Sequence, residues 1–116
     1  NTPQQALVLL NDPTYVEAAR VLAARVMRDG GADAAARLRF AFGVVLQREP
    51  TGAEVDVLEK LRAKHLAEYQ ADPGSAAALL KVGASPPAEG LDPAELAAWT
   101  SVTRTLLNLH ETITRY

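Results

Sequence analysis

The sequence predicts an all-α fold, a compact, orthogonal or irregular bundle of five to six helices. Helix-start patterns, in which a small polar residue precedes proline or lies three positions before Glu or Gln, recur along the chain. Between them apolar residues recur at helical spacing, and Gly or Pro separates the segments. Hydrophobic residues make up 48% of the 116 residues but aromatic residues only 5%, so Ala, Leu and Val must supply the packing. Strand patterns are nearly absent, and this length predicts a single helical domain, residues 1–116.

The opening stretch "NTPQQALVLLNDP" predicts a short helix, a tight corner and a second helix start. The first helix should run from about Pro3 to Leu10, because Thr2 and Gln5 have the spacing of a capping box. Asn11 can adopt the left-handed conformation that ends a helix. Asp12-Pro13 then begins the next one.

The second predicted helix extends from about Pro13 to Asp29, where Gly30-Gly31 stops it. Glu17 and Arg20 lie three positions apart, and the projection places both on the solvent side. The predicted inward face carries Tyr15, Ala18, Ala19, Leu22 and Val26.

A third helix is expected from about Ala34 to Gln47, capped by Asp33 and ended by Pro50. Its predicted buried face carries Leu38, Phe42, Val45 and Leu46. Thr51 to Glu54 forms another capping box and starts a fourth helix that continues to about Gln70.

The remaining chain predicts a short helix, a loop and a long last helix. Asp72-Pro73 begins the short helix, which should end near Leu80. Residues 83–91, "GASPPAEGL", lack periodicity and form the predicted loop. Asp92-Pro93 opens the last helix, which should reach about Arg115.

Composition excludes several classes of site. The chain has no cysteine, so it cannot contain disulfides, zinc–thiolate sites, iron–sulfur clusters or haem attached through thioether bonds. Twelve basic and fourteen acidic residues are dispersed, which argues against a nucleic-acid-binding face. No apolar run approaches the roughly 20 residues of a membrane span, and no signal peptide is visible.

His65 and His110 are the two histidines and the weak candidates for a metal site. Projected around a helix, His65 falls among Leu58, Leu61 and Tyr69. His110 falls on the arc of Trp99, Leu96 and Leu106. The two could meet across the bundle and bind a metal together with Glu111, but neither belongs to a Glu-x-x-His or His-x-x-x-His pattern. We therefore expect hydrogen-bonded histidines in the core or at its boundary, and predict no metal ligand.

Arg62 and His65 together form a possible polar site, since Arg62 also projects onto the apolar arc. The favoured interpretation is an arginine whose stem lies on the core and whose guanidinium pairs with a nearby acid. No catalytic residue is predicted. Most carboxylates lie at helix starts, where they satisfy free amides; these are Glu54, Asp72, Asp92 and Glu95.

Three stretches together resemble a known family. They are "NTPQQALVLLNDPTYVEAARVLAARV", "RLRFAFGVVLQREPTGAEVDVL" and "WTSVTRTLLNLHETITRY". In this order they are similar to the C-terminal part of the planctomycete cytochrome-associated domain of unknown function. The resemblance covers most of the chain, and its opening segment is the most specific part.

The resemblance implies the setting rather than the chemistry. Such a domain closes a large, mostly secreted protein that commonly carries a cytochrome c-like module and a companion domain of unknown function. We therefore expect an extracytoplasmic location, a chain that is a fragment of a longer protein, and haem c, if any, elsewhere in that protein. This chain departs from the family pattern at His110 and Thr112, which argues against an invariant metal ligand on the last helix.

Three functions follow as hypotheses. The first is a non-catalytic helical module that packs against upstream domains of its own polypeptide or a partner protein and leaves an apolar face exposed. The second is a binding module for carbohydrate or another extracellular ligand. It would use Trp99, Tyr15, Tyr69 or the 83–91 loop, and it requires an exposed ring beside polar groups. The third is part of an active site completed by the upstream chain, with Arg62, His65 or His110 contributing.

Overall fold

The computed structural model describes residues 13–83 and 88–115, with side chains up to residue 110. Within those residues the chain forms five helices and no strand, so the all-α prediction is confirmed. In chain order they are α1 Pro13–Asp29, α2 Ala34–Leu46, α3 Gly52–Ala71, α4 Pro73–Leu80 and α5 Pro93–Arg115. The predicted helix at Pro3 to Leu10 lies outside the described residues. The radius of gyration is 13.5 Å, close to the roughly 13 Å of a compact chain this long.

Predicted caps are present at the starts of the last four helices. The carboxylates of Asp33, Asp72 and Asp92 each accept a hydrogen bond from the backbone amide three positions on, at 2.8, 3.3 and 2.9 Å respectively. At α3 the bonding is reciprocal, because Thr51 and Glu54 each accept from the backbone amide of the other. These bonds satisfy amides that have no partner within a helix.

Helix α2 ends at Leu46, within one residue of the predicted end at about Gln47. The residue that stops it is Gln47 rather than Pro50, because Gln47 adopts a left-handed conformation with φ 58° and donates its amide to the Gly43 carbonyl. A left-handed residue after the last turn closes a helix in the same way as a glycine cap.

Helix α5 is the centre of the bundle and packs against all four other helices. Every residue from Leu96 to Thr103 is buried, so two full turns of α5 face protein on all sides. The buried hydroxyls there are bonded. Thr100 donates to the Leu96 carbonyl at 2.7 Å, and Thr103 donates to the Ala19 carbonyl of α1 at 2.7 Å. Fully buried Ala19 and Ala23 let α1 lie close to α5.

The buried face of α1 agrees with the prediction only in part: Ala19 and Val26 are fully buried as predicted, and Tyr15 and Leu22 are half-buried. Ala18 is exposed, whereas Arg20, which was expected on the solvent side, is only 2% exposed. The buried arc is rotated by about 100° around the helix axis from the predicted arc. The guanidinium Nε of Arg20 donates to the Val82 carbonyl at 3.2 Å, which holds the chain after α4 against α1. A buried arginine is tolerated because its stem packs while its polar end is bonded.

Candidate functional site

An apolar groove of about 250 Å³ opens between α2, α3 and the second half of α5. Its floor is formed by Phe42 and Leu58, both in the core. Val57 and Leu109 stand at its sides and are 66% and 42% exposed. Large apolar side chains are normally exposed singly, so two of them bordering one apolar depression mark a surface suited to contact.

The groove lies beside α3, a long helix that contributes little to the core. Over 20 residues α3 fully buries only Leu58. Val57 precedes Leu58 by one residue and is turned by about 100° around the axis, which carries it from the core to the surface. The sequence reasoning did not single out Val57, although its position beside a core leucine was the available signal.

A charged pair stands at one end of the groove. The two terminal guanidinium nitrogens of Arg48, Nη1 and Nη2, donate to the Glu54 carboxylate at 3.0 and 2.8 Å. The Arg48 guanidinium carbon lies 4.7 Å from the centre of the Phe42 ring. These bonds from Arg48, with a further one from the Thr51 amide, lower the pKa of Glu54 to about 2. The pair thus fixes an acidic and a basic group at the groove entrance.

This pair should make stability depend on pH in a defined direction. The folded-state pKa of Glu54, about 2, lies below its ordinary 4.5, so the unfolded chain takes up the proton first as the pH falls. We expect the wild type to lose free energy of unfolding relative to Glu54→Gln as the pH is lowered from about 5 to about 2. Urea unfolding followed by circular dichroism measures it. Arg48→Ala should remove most of this difference, and a difference that is constant with pH would contradict the assignment.

Arg62 is arranged as the favoured interpretation predicted, with its guanidinium paired with a nearby acid. Its guanidinium makes two hydrogen bonds to the Glu59 carboxylate, at 2.9 and 2.6 Å, and these bonds raise the pKa of Arg62. Its guanidinium carbon lies 5.6 Å from the centre of the Trp99 ring. The Arg62 side chain is only 13% exposed, so it covers Trp99 and leaves little of its own surface for a ligand.

His65 is half-buried and forms a hydrogen bond with a residue of α5. Its Nδ1 lies 2.9 Å from the hydroxyl oxygen of Ser101. A serine paired with a histidine resembles a nucleophile and its base, but Ser101 is 7% exposed, lies within a helix and also contacts the Ala97 carbonyl. A nucleophile must reach its substrate and needs donors for the developing charge. The pair therefore joins α3 to α5.

The predicted candidates do not form one site. Arg62 bonds Glu59 and His65 bonds Ser101. His110 projects onto the arc of Trp99, as predicted, but it is exposed. It lies nine residues beyond Ser101, about 13 Å further along the axis of α5, and therefore away from His65. Within the described residues no group of three or more potential metal ligands occurs. None of the described helices has the length and apolarity to cross a bilayer.

A second, more polar cavity of about 520 Å³ lies where α3 meets α4. His65, Glu68 and Tyr69 line it from α3, and Asp72 and Ser75 line it from the junction with α4. Asp72 accepts bonds from the amide and hydroxyl of Ser75, and these bonds lower the pKa of Asp72. Of the aromatic residues proposed for ligand contact, Trp99 is fully buried and Tyr15 is half-buried, whereas Tyr69 is half-buried but borders this cavity.

Comparison with known proteins identifies one family. A family model described as PSD1, protein of unknown function (DUF1553), matches residues 1–62. No curated protein and no solved structure matches the chain. The matched residues include α1, α2 and the first half of α3, and with them most of the residues that line the apolar groove.

Proposed function

The chain belongs to the PSD1 family of proteins of unknown function, and from this premise we propose that it is a non-catalytic helical module of a larger secreted planctomycete-type protein. In this proposal it packs against the upstream domains of its own polypeptide. The setting beside a cytochrome c-like module outside the cytoplasm belongs to the same proposal and is supported by the resemblance of its three motifs.

The apolar groove carries the proposal. Val57 and Leu109 present apolar surface beside a depression whose floor, Phe42 and Leu58, belongs to the core. Burying a Val or Leu side chain on contact is worth about 1.5–3 kcal/mol. Val57, Leu109 and the apolar side chains of the neighbour that cover them would therefore supply several kcal/mol together, enough for an association that is measurable between separate chains.

The polar residues have structural roles that agree with a module of this kind. Asp33, Asp72 and Asp92 cap helices, and Glu54 completes a capping box. Arg62 is held by Glu59 above the Trp99 ring. These side chains stabilise the bundle that presents the groove.

Val57→Glu tests this function. Val57 is 66% exposed, so the variant should fold normally, while a carboxylate at the groove should oppose an apolar anchor. With the remainder of the parent polypeptide supplied as a separate chain, calorimetric titration should show binding to the wild type and a weakening of at least about tenfold for Val57→Glu.

Val44→Glu is the matched control, because Val44 is 37% exposed on α2 and does not line the groove. It should bind as the wild type does. Equal weakening of both variants, or no binding by the wild type, would exclude docking through the groove.

A further inference from the structure

The polar cavity at the junction of α3 and α4 contains hydrogen-bonding groups that the bundle does not use. His65, Glu68, Tyr69 and Asp72 recur at the spacing that places side chains on one helix face. Nδ1 of His65 bonds Ser101, but its Nε2 has no hydrogen-bond partner among the described residues. The carboxylate of Glu68 and the hydroxyl of Tyr69 likewise have none within the described part of the chain.

Tyr69 also offers an apolar surface at the same place. One part of Tyr69 packs against the core cluster, and the residue borders the cavity. The His65 and Tyr69 rings meet edge to face, with centroids 6.3 Å apart and an interplanar angle of 61°. The cavity therefore combines an aromatic ring, packed against a neighbouring ring, with several polar groups, as small-molecule sites do.

The charges of the cavity restrict the class of ligand. Two carboxylates, Glu68 and Asp72, line it, and neither Lys nor Arg does. Phosphates, sulfates, carboxylates and nucleic acids are therefore disfavoured. Its potential ligands do not form a metal-binding group of three in the described residues.

We propose that this cavity binds a neutral, hydroxyl-rich ligand, namely a carbohydrate chain. Sugar hydroxyls donate to the carboxylate of Glu68 and to Nε2 of His65, and the Tyr69 hydroxyl donates to a sugar oxygen. The C–H face of the sugar ring packs on the Tyr69 ring. Asp72 is already oriented by Ser75, so part of the site is formed before the ligand arrives. This site lies on a different surface from the apolar groove and does not depend on the docking function.

The test is an NMR titration of the 116-residue chain with neutral hexasaccharides of glucose, xylose and mannose. At least one should shift the backbone amide signals of residues 65–75. The affinity should not change with salt concentration, because the ligand is neutral and no ion pair forms on binding. Glu68→Ala and Tyr69→Phe should each weaken binding by about tenfold, the loss of one hydrogen bond in a ligand site.

Both variants should fold as the wild type does, so that their binding can be compared. Glu68 is exposed, and phenylalanine retains the packing of Tyr69 on the core. Glu49→Ala removes an exposed carboxylate outside the cavity and should bind as the wild type does. The proposal is overturned if no hexasaccharide shifts these signals, or if binding survives both variants. It is also overturned if spermidine, in a salt-sensitive manner, shifts them while sugars do not, which would indicate a cation site.

Discussion

Replacing Trp99 by alanine should lower the free energy of unfolding by about 3–5 kcal/mol, the usual cost of removing a large buried aromatic side chain. Trp99 is the largest fully buried side chain of the described residues and lies on α5, the helix that packs against all the others. Its loss would leave a cavity at the centre of the bundle and would also remove the ring that supports the guanidinium of Arg62.

Trp99→Phe separates packing from polarity. The indole Nε1 of Trp99 is buried and has no hydrogen-bond partner among the described residues, a condition that costs about 1–3 kcal/mol. Phenylalanine removes this donor and keeps most of the ring, so we expect it to cost clearly less than alanine. Urea unfolding followed by far-ultraviolet circular dichroism compares all three proteins. Equal losses for the two variants would show that the ring volume is not what stabilises the core.

Gly30→Ala should destabilise the protein by about 1–3 kcal/mol, as overpacking does. A Cβ added at Gly30 would lie 2.5 Å from the Val26 carbonyl oxygen and 3.2 Å from the Cα of Arg37. Both are backbone atoms, so no rotamer change can relieve the contact and the corner between α1 and α2 must open. This corner is also where Arg37 donates to the carbonyls of Met27 and Gly31.

Gly43→Ala is the matched control and should have the opposite sign. Gly43 lies inside α2, and a Cβ there would meet nothing within 4 Å. Alanine in a helix interior is more stable than glycine by about 0.5–1 kcal/mol. Thermal or urea unfolding of the two variants measures the contrast. A stabilising Gly30→Ala, or a destabilising Gly43→Ala, would show that the close approach at Gly30 is not what requires glycine there.

The candidate sites were less accessible to sequence reasoning than the fold. Arg62 could be assigned correctly to pairing with a nearby acid, because Glu59 is one turn away on the same helix. The partner of His65 could not, since Ser101 lies 36 residues further along the chain. The groove at Val57 was missed because an exposed valine gains meaning only when Phe42 and Leu109 are known to lie beside it.

The two proposed surfaces differ in how far they overlap with the residues that match the family model. The PSD1 family model covers α1, α2 and the first half of α3, and this region supplies Phe42 and Val57 to the groove. The cavity with Tyr69 lies outside the matched residues. Under the two proposals, docking uses a groove lined mostly, but not wholly, by residues that match the family model, and carbohydrate binding uses residues beyond the match. The two titrations test these functions independently.

By itself the sequence determined where the described helices begin and that the fold is all-α. Caps such as Asp33, Thr51 and Asp92 act on amides within one helical turn, so local order along the chain is enough to recognise them. Only the tertiary structure decided which face of α1 is buried, because that depends on contacts such as the bond from Arg20 to the Val82 carbonyl, 62 residues apart. The tertiary structure likewise decided that Arg20 is buried and that Val57 and Leu109 border one groove. The reason is that packing between helices distant in sequence, and not periodicity, selects which face of each helix is buried.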